Sequence, residues 1–329
     1  TVKKNVRQGK INTTYTYNLA NVQQNATLTR VVIMDTTSDI KENGQTTETS
    51  VISRRPTEIV KVGNTTYNLT DYRFSRSGIS DPKPAVLYNT GEYQLTKTYT
   101  VGNSGRVTVE MKGTQYGYDQ YWSSAKSGTV SVNISANPAE SPAWGGFAEV
   151  VVSSTAKKGF RYIENEPWQI SFEGGYVEQN WEESVLEYTA TMPEFDKNGN
   201  ATEVMTTYQE RLGLNTEPVN TRLMVPDLKH LKGHWAEEPA KILFSLEVIP
   251  GTGENFIPEK YVSRREFTAM VVRAIKEIPQ DPDLVTRTAT TNRSKSTAAE
   301  VSPFSDVATN DPFYSEIKAA NVKGIIQGT

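Results

Sequence analysis

Apolar and polar residues alternate along much of the first 225 positions of this 329-residue chain. In the run 93–101, every odd position except Lys97 holds an apolar or aromatic residue. A period of two places alternate side chains on one face of a β-strand. Similar runs occur at 28–34, 107–111, 130–134, 147–152, 170–172 and 185–192.

Turn-forming residues separate these runs, as in Glu42-Asn43-Gly44 and Asn103-Ser104-Gly105. Many short strands with little helical periodicity predict an antiparallel all-β sandwich region, built as one sandwich or as two. The proline-containing segment 137–142 is the candidate boundary. We therefore expect a β-sandwich-like domain at 1–137, followed at 138–225 by a second β domain or a continuation of the first.

The pattern changes to a helical one after residue 226. Ala240, Leu243 and Phe244 recur at helical spacing, and Pro250-Gly251 is expected to end that helix. Ser263 and Glu266 form the sequence signature of a capping box, which predicts a second helix through residue 274. The chain is thus expected to be multi-domain, with an α-helical module after the β region.

Four short motifs lie in this helical segment, and they are Gly233-His234-Trp235-Ala236, Val248-Ile249-Pro250-Gly251, Phe256-Ile257-Pro258 and Val262-Ser263-Arg264-Arg265-Glu266-Phe267. Their order and spacing resemble the S-layer homology (SLH) domain, by which many bacterial surface proteins grip cell-wall polysaccharide. The resemblance implies a first SLH unit at 226–284.

A partial second copy of the pattern follows at 303–329, after a polar linker at 285–302. Phe304-Ser305-Asp306-Val307 matches the opening of the unit, but Pro312 occupies the position that Trp235 has in the first copy. SLH domains usually assemble three units. We therefore expect either that the chain is a fragment or that partner chains supply the missing helices.

The resemblance also implies a set of polysaccharide-binding residues, namely Asp227, Trp235, Gly251, Arg264 and Asp306. A guanidinium at a helix start suits an acidic glycan group such as a pyruvate ketal. Three of these residues also have a structural alternative: Arg264 as a solvated side chain, Trp235 as a core anchor and Gly251 as a helix terminator. Glu266 is assigned to capping.

Composition narrows the functional classes. A net charge of −3 and a pI near 5.7 give no electrostatic case for nucleic acid or an anionic membrane. The chain has no cysteine, which excludes disulfides and thiol chemistry, and it has no apolar run long enough to span a membrane. The start of the chain is interpreted as a processed mature end, and the resemblance implies an extracellular, wall-associated location.

Other candidate chemistry is weaker. Asp196, Asn198 and Asn200 alternate like the start of a calcium loop, but Ala201 replaces the required glycine, so a hairpin turn is preferred over a metal site. Four tryptophans could form a sugar-stacking platform or could pack in the sheet, and they are Trp122, Trp144, Trp168 and Trp181.

Catalysis has little support in the sequence. Both histidines, His230 and His234, lie in the helical segment, which excludes a histidine-based catalytic or zinc site in the β region. Glutamates cluster at 164–183, but their spacing singles out no catalytic pair. We expect no enzyme activity and no cofactor.

Two functional hypotheses remain. In the first, the SLH units attach the protein to secondary cell-wall polysaccharide and the β domains face outward. In the second, the protein is a self-assembling subunit of a surface layer or filament, with copies of itself as partners through β edges such as 10–18. An ordinary first strand is the preferred interpretation of 10–18. A wall-attached glycosidase ranks last.

Overall fold

The computed structural model describes residues 1–7, 10–23, 25–102, 105–139, 142–165, 174–196, 200–276 and 301–328. Within these ranges, strands occupy the region before residue 223 and helices follow it. The strands are β1 (Val2–Arg7), β2 (Lys10–Asn21), β3 (Ala26–Ile40), β4 (Thr46–Ile52), β5 (Thr57–Val62), β6 (Thr65–Lys83), β7 (Val86–Val101), β8 (Gly105–Asp119), β9 (Ser123–Asn137), β10 (Trp144–Ile163), β11 (Gly175–Phe195), β12 (Ala201–Asn215) and β13 (Val219–Arg222). The predicted all-β antiparallel region is therefore confirmed.

All of these strands belong to one antiparallel sheet, with the order β1-β2-β3-β4-β6-β7-β8-β9-β10-β11-β12. Two of its positions are shared by strands lying end to end. β4 and β5 both lie between β3 and β6, and β13 continues the line of β12 beside β11. The described part of the sheet is thus a meander of eleven neighbouring positions, and it begins with β1 and ends with β12.

The alternation of the sequence sorts side chains onto two faces of this sheet. The register places one row of residues directly opposite each other on successive strands, and the row is Phe74, Leu95, Met111, Val132, Ala148, Ala190 and Tyr208. Leu95 and Val132 are buried in it. This apolar row explains the register, because a slip of one residue would turn the row to the opposite face.

The strands of the two predicted β segments belong to one continuous antiparallel ladder. β9 and β10 pair with each other on either side of 137–142, so the ladder continues across that candidate boundary. The sequence could not show this continuity, because alternation reports which residues share a face, but not which strands are neighbours.

Three α-helices and one short 3-10 helix (Lys229–Leu231) follow the sheet within the described residues. The α-helices are α1 (Glu237–Ser245), α2 (Arg264–Ile275) and α3 (Tyr314–Val322). A small core holds the first helical unit together, and its members are Leu228, Leu231, Ala240 and Phe244, with Met224, Ile249 and Phe256 packed against them. None of the described helices has the length and apolar character needed to cross a membrane. The predicted linker at 285–302 and the strand at 170–172 lie outside the described residues, apart from residues 301–302.

Side-chain contacts fix the helical unit to one end of the sheet. The Tyr176 hydroxyl of β11 donates to Glu238 of α1 at 3.1 Å. Lys276, just after α2, donates to the carbonyl of Leu246 at 2.6 Å, and its Nζ lies 5.9 Å from the ring of Tyr121. The helical unit therefore contacts the sheet through defined side-chain interactions.

Candidate functional site

The segment that opens the helical unit lies alongside the loop between α1 and α2. The amide of Asp227 donates to the carbonyl of Thr252 at 2.8 Å, and His230 Nε2 contacts the carbonyl oxygen of Phe256 at 2.9 Å. Farther along, His234 Nε2 lies 3.2 Å from Glu259 Oε1. These three contacts join the motifs into one continuous surface, with Asp227 at one end and His234 at the other.

Asp227 is half-buried, and its carboxylate faces Lys229. Lys229 Nζ lies 3.3 Å from Asp227 Oδ2 in a pair whose lysine is almost fully exposed. Such an exposed pair opens readily, because surface ion pairs are worth at most about 1 kcal/mol. The carboxylate is therefore accessible to a ligand hydroxyl.

Trp235 lies on the surface with 77% of its area exposed. Its ring packs against His234, with ring centroids 5.6 Å apart and planes tilted by 37°. The alternative role as a core anchor is wrong, because the core position beside it belongs to the buried Ala236. An exposed tryptophan braced on one side presents a flat apolar face, which is the surface that the ring of a sugar can cover.

Gly251 and Gly253 shape the loop beside Asp227. Both have positive φ, +99° and +89°, which favours glycine. Open space surrounds the position where Gly251 would carry a Cβ, whereas a Cβ on Gly253 would lie 2.6 Å from Leu228 Cδ2. Gly251 therefore leaves the backbone open to a ligand, while Gly253 is required by packing. The expected helix end at Pro250-Gly251 is also corrected, because α1 ends at Ser245.

Arg264 is the first residue of α2, and Ser263 caps the helix. Ser263 Oγ accepts from the amide of Glu266, and the Glu266 carboxylate accepts from the amide of Ser263 at 2.8 Å, so the predicted capping box is confirmed. The hydrogen bond from Ser263 Oγ lowers the pKa of the Glu266 carboxyl below its usual value. Within the described part of the chain, the Arg264 guanidinium makes no ion pair or hydrogen bond, and the residue is exposed.

The neighbouring Arg265 has a different environment. Its Nη1 lies 2.8 Å from Asp311 Oδ2, just before α3, and its guanidinium lies 6.0 Å from the ring of Phe313. Arg273, two turns along α2, pairs with Glu316 of α3. These contacts bind the first unit to the second. The charge at position 265 serves this junction.

The second unit repeats the geometry of the first at an offset of 77 residues. α1 and α3 each span nine residues, and Trp235 and Pro312 both lie two residues before the helix. Two residues after each helix the backbone has positive φ, at Glu247 (+57°) and at Gly324 (+67°). In both ends, the next amide donates back to the carbonyl five residues before it, as in a Schellman motif. The two segments thus share the same helix length and the same geometry at the helix end.

The structure brings some of the predicted site residues together and leaves others apart. Asp227 and Gly251 lie beside each other, because Thr252 accepts the amide of Asp227. Trp235 lies at the other end of the same surface. Asp306 is exposed in the second unit, and no hydrogen bond or ion pair among the described residues links it to Arg264. The contact between His234 and Glu259 was not predicted, since the motif that contains His234 does not indicate which loop residue it meets.

The residues of the calcium-loop-like turn and the tryptophans have structural roles where the structure describes them. The Asn200 amide donates to Asp196 Oδ1 at 2.9 Å in the turn between β11 and β12, as expected for a hairpin, while Asn198 lies outside the described residues. Trp144 and Trp181 lie on opposite faces of the sheet, since their β10 positions, 144 and 157, differ by an odd number. They cannot share one stacking platform. Trp168 lies outside the described residues, and no potential metal-binding cluster occurs in the described ranges.

Comparisons with known proteins agree with this description of the helical unit. The family model for the S-layer homology domain matches residues 227–268. Exoglucanase XynX of Acetivibrio thermocellus is 24% identical over 192 residues, which cover 54% of this chain but 15% of that protein. No solved structure matches the chain. Residues 227–268 therefore form an S-layer homology domain, which indicates a cell-surface protein attached non-covalently to the cell wall.

Proposed function

We propose that the SLH domain binds secondary cell-wall polysaccharide through Arg264, Trp235, Asp227 and Gly251, with Asp306 as a contact of the second unit. The observation that carries this proposal is the availability of Arg264 and Trp235. One is an exposed guanidinium with no partner in the described part of the chain, and the other is an indole with 77% of its area exposed. Both groups are therefore accessible to a ligand from solvent.

The chemistry of these groups fits an acidic glycan. A guanidinium donates two parallel hydrogen bonds to a carboxylate, and each charge-assisted bond is short and strong. Arg264 begins a twelve-residue helix, whose first free amides add positive potential at the same place. Trp235 offers an apolar face for a sugar ring, and the backbone at Gly251 admits close approach. A carboxylate-bearing sugar, such as a pyruvate ketal, would satisfy all three features.

The role we propose is attachment rather than catalysis. The sheet would then be the part displayed away from the wall, joined to the helical unit through the contacts of Tyr176 with Glu238 and of Tyr121 with Lys276. The activity in the name of the exoglucanase belongs to that protein, of which this chain matches a small share.

Purified wall sacculi, with and without their secondary polysaccharide, provide the test. We expect wild-type protein to sediment with intact sacculi and to stay soluble once the polysaccharide is removed. Arg264→Ala should weaken binding by roughly 10-fold to 100-fold, since a hydrogen bond to a charged group is worth about 1.5–3 kcal/mol. Arg106→Ala removes an equally exposed arginine from the sheet and should bind like the wild type. Equal retention of both variants on intact sacculi would refute the role of Arg264.

A second candidate function is self-assembly into a surface layer or filament. The observation that favours it is the open sheet, because among the described strands β1 and β12 each pair on one side alone. An unpaired strand edge is a template for another strand. Sedimentation velocity of the purified chain without cell wall tests it, and a monomer at all concentrations would exclude it.

A further inference from the structure

The two edges of the sheet, formed by β1 and β12 with their neighbours, carry opposite charge. β1 and β2 contain Lys3, Lys4, Arg7 and Lys10 and no acidic residue. At the other end, residues 175–215 contain eight acidic and two basic residues. Glu203 and Glu210 belong to the last strand itself, and both are exposed. Opposite charges at the two ends attract, whereas two copies of the same end repel each other.

The last strand is also unusually open. β12 has fifteen residues, almost all exposed, and it contains neither proline nor lysine. Tyr208, Leu212 and Leu214 lie on the face that carries the apolar row, and Leu214 is 67% exposed. Short strands, prolines and lysines are the usual means by which proteins keep an edge from pairing. β12 uses none of these three, and its charged residues are Glu203, Glu210 and Arg211.

The first strand differs in each of these respects. β1 has six residues, and both Lys3 and Lys4 are exposed. Together with Thr1 it covers β2 from Lys10 to Thr16, and it leaves residues 17–21 without a partner strand on that side within the described residues. Lysines on an edge discourage pairing with a neutral or basic strand, but an acidic strand neutralises them. The partner that fits this edge is therefore one with the charge of β12.

We propose that a second copy of this chain adds β1 to the free edge of β12, so that the sheets join head to tail into one continuous sheet. Every neighbouring pair in the described sheet is antiparallel, and ten steps separate the first from the eleventh position. β1 and β12 of one chain therefore run in the same direction. Joining copies with their apolar faces on the same side makes the new pair parallel.

Charge selects this arrangement over the symmetric ones. Two copies related by a two-fold axis would pair β12 with β12 or β1 with β1, and each of these pairs places like charges together. The head-to-tail contact is heterologous, so each added copy leaves the same two free edges and growth continues into a filament or ring. This inference rests on the second candidate function and specifies the surfaces that would carry it.

Reciprocal charge reversal tests the contact on the full chain. One variant carries Lys3→Glu with Lys4→Glu, and the other carries Glu203→Lys with Glu210→Lys. Sedimentation velocity and negative-stain imaging should show that each variant alone needs a roughly tenfold higher concentration to assemble, because several cross-strand pairs of about 0.2–1 kcal/mol are reversed. An equimolar mixture of the two should assemble like the wild type, since every β12 edge then meets a complementary β1 edge.

The controls separate the possible failures. Arg106→Glu with Lys112→Glu makes the same charge change as Lys3→Glu with Lys4→Glu, but on exposed positions of the central strand β8. It should leave assembly unchanged. Wild-type protein that stays monomeric would exclude self-assembly as a whole. Assembly that persists in both edge variants, or that the mixture fails to restore, would refute the β12–β1 contact while leaving self-assembly standing. Wall binding of the edge variants should equal that of the wild type in the sacculus assay.

Discussion

Glu58 is the charged residue whose neutralisation should destabilise the sheet most. Its side chain is 1% exposed and lies on β5, between Arg30 of β3 and Lys97 of β7. Glu58 Oε2 accepts from Arg30 Nε at 2.6 Å, and Oε1 accepts from Tyr99 Oη at 2.6 Å and from Lys97 Nζ at 3.1 Å. Lys97 is 4% exposed, so this carboxylate is the group that balances a buried cation.

Glu58→Gln keeps the shape of the side chain and removes its charge. Breaking a buried ion pair by removing one partner costs about 3–5 kcal/mol, because the remaining charge is left uncompensated. Arg30 can turn toward water, since a quarter of its side chain is exposed, but Lys97 cannot. We therefore expect a loss of about 3 kcal/mol in the free energy of unfolding of the sheet.

The pKa of Glu58 gives this prediction a pH dependence. Burial raises the pKa of the carboxyl, but the hydrogen bond from Arg30 and the charge of Lys97 together lower it further, so the net pKa lies below the ordinary 4.5. The ionised carboxylate stabilises the fold at pH values above 4.5, and this contribution is lost as the pH falls through the lower, folded-state pKa. The difference in the free energy of unfolding between wild type and Glu58→Gln should therefore be largest at neutral pH and should become smaller as the pH falls through the folded-state pKa of Glu58.

Urea unfolding followed by far-UV circular dichroism at neutral pH measures the effect. The midpoint should fall with an unchanged slope. Glu187→Gln is the control, since Glu187 pairs with Arg211 across neighbouring strands at 3.2 Å but both side chains are more than half exposed. That variant should lose less than about 1 kcal/mol. Adding Lys97→Met to Glu58→Gln should recover part of the loss, because it removes the unpaired cation. Equal midpoints for Glu58→Gln and Glu187→Gln would refute the reasoning.

Two further predictions concern the helical units. Glu247→Gly should raise the thermal stability of the first unit by about 0.5–1 kcal/mol, because a non-glycine residue at φ +57° is strained; Glu247→Ala, which keeps the strain, should show no gain in the same melting experiment. Arg265→Ala should speed hydrogen exchange in α3, since it removes the contact with Asp311, at a cost below about 1 kcal/mol for a partly exposed pair. Arg264→Ala should leave that exchange unchanged, and identical exchange in all three proteins would contradict the assigned junction.

The local features of this fold could be predicted from the sequence. Period-two runs located the strands, because burial of one face forces alternation, and the described runs lie within β3, β7, β8, β9, β10 and β11. The capping box at Ser263 and Glu266 fixed the start of α2 to the residue. The strands extend farther than these runs, as β11 spans 21 residues, because Thr, Ser and Glu continue a strand without an apolar signal.

The arrangement of the strands could not be predicted in the same way. A row such as Leu95, Met111 and Val132 requires that β7, β8 and β9 be neighbours, and alternation is satisfied by any order that buries the same face. The buried group at Glu58 was also missed. Its partners Arg30 and Lys97 lie 28 and 39 residues away, and although Lys97 falls among the apolar positions of its run, the sequence does not show which carboxylate it meets.

The two adjacent arginines at the start of α2 have the same side chain but different contacts. Arg264 and Arg265 are adjacent, equally charged and both exposed, so composition cannot separate them. The helix separates them, because consecutive residues point about 100° apart around its axis. Arg265 is thereby turned toward Asp311 and the second unit, and Arg264 is turned away with no partner among the described residues. Arg265 joins the two units, and Arg264 remains available for an acidic glycan. The wall-binding and hydrogen-exchange experiments should therefore give opposite results for the two alanine variants.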